Sequence, residues 1–151
     1  MTRRILTRER LLEIFECYEH LPEAENIEVT ILKGHLLVEG RLVEYIQKRL
    51  GNPDAFDPDR FQFSQLLIIA HSLCNAEEYD DLWTSIQKLN TLRNRLSHEL
   101  DQSRFDQALQ GLLGFHTSRF FQGHEDEYRN IHSCIVSIYS SLVHLIAETT
   151  G

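Results

Sequence analysis

The chain has 151 residues, 42% of them hydrophobic and 25% charged, with only three prolines and seven glycines. That size and balance suit one folded domain over residues 1–151 and exclude low-complexity or disordered sequence. The formal net charge is −8, the wrong sign for a protein that grips long nucleic acid non-specifically through many phosphates.

The apolar spacing is helical almost throughout, and no stretch alternates as a strand would. The first predicted helix runs from Thr7 to His20, with Leu11, Leu12, Ile14, Phe15 and Tyr18 as its apolar members, and Pro22 ends it. The second runs from Asn26 to Leu50. Leu32, Leu36, Val43, Ile46 and Leu50 recur at helical spacing, and Gly51-Asn52-Pro53 stops it. Residues 52–61 read as a loop, Ser64–Asn75 as a third helix and Glu77–His98 as a fourth. A fifth starts at Asp101-Gln102-Ser103 and reaches Phe115. The last spans Glu125–Glu148, where Tyr128, Ile131, Ile135, Ile138, Leu142 and Leu145 form a seam at spacings of three and four. The expected fold is therefore all-α, a single-domain up-and-down bundle of five to six helices. No segment reads as a membrane span or signal peptide. Cys17, Cys74 and Cys134 are odd in number and widely spaced, so a disulfide framework is not expected and a cytoplasmic location fits.

The fourth helix carries the chemistry. From Leu82 to His98 it contains no acid, and Lys88, Arg93 and Arg95 make a small basic island in an acidic chain. By itself such an island suits a solvated helix face as well as a focused anion site. Arg93 and His98, with Asn94 beside the arginine, suit phosphodiester cleavage. A guanidinium holds a phosphate and its developing charge, and an imidazole moves a proton near neutral pH.

At 100° per residue, Leu82, Ile86, Leu89, Leu96 and Leu100 form one stripe, and Arg93 projects into it. Glu39, between Leu36 and Val43 on the second helix, is the expected partner for that buried charge. Two roles for Arg93 stay open: an internally paired structural arginine, or one fixed by Glu39 while its other nitrogens face a phosphate. On one straight helix, Arg93 and His98 would lie about 140° apart. Asn94 and Arg95 share a face with His98 instead. A two-fold dimer, or unwinding near Ser97, would relieve that tension. His71 with Cys74 and His132 with Cys134 lack four-ligand spacing, and Asp54, Asp57 and Asp59 lack the terminal glutamate of a calcium loop, so no metal site is expected.

Arg93-Asn94-Arg95-Leu96-Ser97-His98 resembles the Arg-x4-His signature of the HEPN superfamily. Tyr79-Asp80-Asp81-Leu82 through Leu89 and Leu92, with Phe63-Ser64-Gln65-Leu66-Leu67 before it, is similar to the mannitol-repressor-like branch of small helical proteins. Together these cover roughly residues 30–100, about half the chain. The HEPN resemblance implies a HEPN-like fold and a metal-independent, cofactor-free endoribonuclease, a toxin or defence effector acting on RNA. His98 would be the general acid or base for attack by a ribose 2′-hydroxyl. Arg93 would stabilise the phosphorane, Asn94 would orient the phosphate or the imidazole, and Arg95 and Lys88 would bind substrate. It also implies a homodimer and an antitoxin or regulatory partner. Where the HepT toxin branch usually has a tyrosine two residues after the histidine, this chain has Leu100. The mannitol-repressor-like resemblance implies the alternative, a non-catalytic helical interaction or regulatory module.

Overall fold

A computed structural model describes residues 7–21, 26–97, 101–119 and 127–149, without the side chains of residues 127–129. Six α-helices are described: α1 Arg8–His20, α2 Ile27–Arg49, α3 Phe63–Leu73, α4 Asp80–Leu96, α5 Gln102–Arg119 and α6 Glu127–Thr149. The described residues contain no strand, and the helices pack as one all-α bundle.

Local chemistry sets most helix ends. Thr7 caps α1 by accepting from the Arg10 N–H at 3.3 Å, and Asn26 caps α2 by accepting from the Val29 N–H at 3.0 Å. Gln62 and Gln65 form a capping box at the start of α3, which begins at Phe63, one residue before the expected start. Residues 53–55 and 58–60 of the expected loop wind into two short 3-10 turns, each with proline at its first position. Before α4, Glu77–Tyr79 also form a 3-10 turn. α5 runs to Arg119, four residues beyond the expected end.

The apolar stripes explain the packing of some elements and misplace others. α6 is the spine of the bundle and packs against α1, α2, α4 and α5. Its expected seam residues Ile131, Ile135, Ile138, Leu142 and Leu145 are all buried. The Tyr128 side chain lies outside the described residues. Contrary to the expectation of no such segment, residues 130–149 have the length and apolarity of a membrane span, with a mean hydropathy of 1.3, and 56% of that window is buried inside the bundle. Gly34 marks the crossing of α2 over α6. A methyl group there would lie 2.6, 2.8 and 3.0 Å from three side-chain atoms of Ile135, so a side chain would hold the two helices apart.

On α2 the buried stripe is Ile31, His35, Val38, Leu42, Tyr45 and Ile46, while Leu32 is 43% and Leu36 66% exposed. The expected stripe was therefore rotated by about one residue at its N-terminal end. On α1, Leu11, Leu12, Phe15 and Tyr18 are exposed, and Cys17 makes the buried contact. Arg41 supplies a polar element beneath α1. Its guanidinium donates to the Tyr139 hydroxyl at 2.9 and 2.7 Å and to Glu44 at 2.7 Å.

Candidate functional site

α4 presents the basic island, and its geometry divides the predicted residues between two cavities. Leu82, Ser85, Ile86, Leu89 and Leu92 face the core. Leu92, not Arg93, completes that face, so Arg93 stands at its edge and is half-buried. The helix ends at Leu96, and Ser97 follows as its C-cap in a turn. The expected helix through His98 is thus shorter by two residues. His98 itself lies outside the described residues.

Arg93 and Asn94 open onto a cavity of about 340 Å³ between α2, α4 and the start of α3. His35 and Glu39 line it from α2, and Phe61, Gln62, Phe63 and Ser64 close its far side. Glu39 and Arg93 therefore meet across one cavity, as the helix registers implied. They do not form the expected pair: among the described residues, neither a hydrogen bond nor an ion pair joins them. The physical reason is the position of Arg93. At the edge of the core its guanidinium keeps access to solvent, and no buried charge forces a carboxylate against it.

His35 is the residue of this site that the sequence reading missed. It is 6% exposed and stacks on Phe63 with ring centroids 3.9 Å apart. Its Nε2 donates to the Asn90 side-chain carbonyl at 3.0 Å, which leaves Nδ1 as the acceptor nitrogen. Burial holds its pKa below the ordinary histidine value and the Arg93 charge adds to this, while the bond to Asn90 opposes both. A neutral imidazole, a carboxylate and a guanidinium thus face one small polar space. The available signal was spacing, because His35 precedes Glu39 by four residues and shares its face.

Lys88 and Arg95 point to the other side of α4. With Thr84, Gln87 and Thr91 they line a groove of about 610 Å³, whose opposite wall is Arg104, Gln107, Ala108 and Gly111 of α5. The sequence reading assigned Lys88 and Arg95 to the same site as Arg93. The structure separates them, since positions 93 and 95 lie about 200° apart around the helix. Arg104 joins them from α5, with Asp101 3.1 Å from its Nε.

The other candidates have local roles. His71 stacks on Trp83. His132 meets Tyr18 at 5.4 Å between ring centroids. Asp57 caps a 3-10 turn and pairs with Arg60 at 3.4 Å. Among the described residues, no group of three or more histidine, cysteine or acidic side chains is placed to hold a metal ion. A scan against protein-family models finds no match for the chain, and searches of curated proteins and of solved structures find none either.

Proposed function

We propose that this protein is a metal-independent endoribonuclease of HEPN type. The observation that carries the reading is the state of Arg93. It is half-buried in the wall of an open cavity, beside Asn94 and one turn from the end of α4, with no carboxylate at ion-pair distance among the described residues. With no protein carboxylate against it and solvent access at the edge of the core, Arg93 keeps its donors for a ligand anion. A phosphate is the matching group.

In this mechanism His98 removes the proton of a ribose 2′-hydroxyl. The 2′-oxygen forms a bond to the adjacent phosphorus, and the bond from phosphorus to the 5′-oxygen breaks. The products are a 2′,3′-cyclic phosphate and a 5′-hydroxyl, the latter protonated by imidazolium or water. Arg93 neutralises charge on the phosphorane, and Asn94 orients the phosphate. Two copies whose α4 ends approach each other would complete the acid and base pair. A toxin or defence effector acting in this way would need a controlling protein partner.

The experiment is incubation of the pure protein with single-stranded RNA in EDTA. The intact chain should leave cyclic-phosphate ends, and His98→Ala and Arg93→Ala should each be slower by at least about a hundredfold. Equal cleavage by His98→Ala, or of DNA, would refute the chemistry. A second reading, a non-catalytic interaction module, draws support from the apolar side chains that α1 exposes at Leu12, Phe15 and Tyr18.

A further inference from the structure

We propose that the groove between α4 and α5 is a binding track for the phosphate backbone of single-stranded RNA. Its choice of polymer rests on the ribonuclease reading; its geometry stands apart from it.

The two walls follow from helical periodicity. Thr84, Lys88, Thr91 and Arg95 recur at spacings of four, three and four along α4, and Arg104, Gln107 or Ala108, and Gly111 follow at three or four along α5. Ala108 and Gly111 give the α5 wall its depth, and nothing lies within 4 Å of where a Gly111 Cβ would stand. The lining carries three cations and no acid, with Asp101 beside it paired to Arg104, in a chain whose net charge is −8. Neither Lys88 nor Arg95 has an ion-pair partner among the described residues. Lys88 is instead held over the Phe115 ring, with its Nζ 5.6 Å from the centroid.

Lys88 and Arg95 are seven residues apart, about 10.5 Å along the helix axis. Their charges are therefore spread along the groove, as a linear polyanion requires, rather than gathered on one small anion. Gln87, Thr91 and Gln107 line the same groove and offer hydrogen bonds to ribose hydroxyls. The groove lies between two adjacent helices, and its spaced cations and polar side chains suit the backbone of a single strand. Arg95 stands in the last turn of α4, so a strand in this groove reaches the C-terminal end of that helix.

The test uses the full chain carrying His98→Ala, which prevents cleavage, and a fluorescent single-stranded RNA dodecamer read by anisotropy across salt concentrations. Three engaged cations give a slope of log affinity against log salt of about −2, and each of Lys88→Ala, Arg95→Ala and Arg104→Ala makes it shallower by about 0.7. Arg60→Ala, which removes a cation that is 83% exposed and outside the groove, should leave it unchanged. Unaltered circular dichroism and urea midpoint show that each variant is folded. A triple variant that binds with the same affinity and slope overturns the proposal. So does displacement of the RNA by polyglutamate at equal charge, which would assign the groove to an acidic peptide, or by inorganic phosphate at matched ionic strength. If wild-type protein cleaves no RNA while the groove variants still lose affinity, the ribonuclease reading fails and this one survives.

Discussion

Replacing Gly34 by alanine sets two effects of known size against each other. In the middle of a 23-residue helix, alanine is favoured over glycine by about 1 kcal/mol through backbone entropy. Against this stands the crossing with α6. The new methyl would meet Cδ1 of Ile135 at 2.6 Å and Cγ2 at 2.8 Å, both closer than carbon atoms can approach. Cδ1 could swing away. Cγ2 is fixed to the branched Cβ of a fully buried residue, whose χ1 is stiff in a helix. Relief therefore requires the helices to separate, and overpacking of this kind costs about 1–3 kcal/mol. The expected net result is a loss centred on about 1 kcal/mol, within about 0–2 kcal/mol, which in a domain of this length lowers the melting temperature by about 2–4 °C and at most about 8 °C. Urea unfolding followed by far-ultraviolet circular dichroism gives the difference directly. In an Ile135→Val background, which removes Cδ1, the same substitution should cost less. A Gly34→Ala protein as stable as the parent would mean that helix propensity outweighs the crossing, and that the close approach of α2 and α6 is not what the glycine serves.

Two further outcomes are expected. Tyr139→Phe removes the hydroxyl that accepts two bonds from Arg41 and should destabilise the fold by about 1–3 kcal/mol, read from the urea midpoint; no loss would mean that Glu44 alone satisfies the guanidinium. His35 has a lowered pKa in the folded protein, so the unfolded chain binds more protons as pH falls through about 6.5. Its contribution is thus present above that pH and lost below it. The urea midpoint should drop between pH 7 and pH 5, with a shallower drop for His35→Gln; equal slopes would remove His35 as a source.

Much of the fold was legible because helices announce themselves by period and punctuation. The α6 seam, the stop at Gly51-Asn52-Pro53 and the division into six segments needed no tertiary knowledge. The errors share one cause. A stripe of apolar residues marks a face, but it does not say whether another helix covers it. Leu32 and Leu36 look like core by spacing, yet the neighbours of α2 cover Ile31, His35 and Val38 instead. α1 shows the same thing: its leucines and aromatics outnumber the surface that α6 and α2 offer, and Cys17 takes the buried place.

The sequence by itself determined the helical class and the basic island on α4, because those follow from local spacing and side-chain type. Tertiary structure decided which of the candidate residues share a space. It moved Arg93 to the edge of the core and left it unpaired with Glu39 across a cavity that His35 also lines. It sent Lys88 and Arg95 to the opposite side, where Arg104 joins them from α5. That sorting depends on the rotation of each helix about its own axis. The rotation is fixed by the burial of many apolar side chains at once, and no single local spacing records that sum.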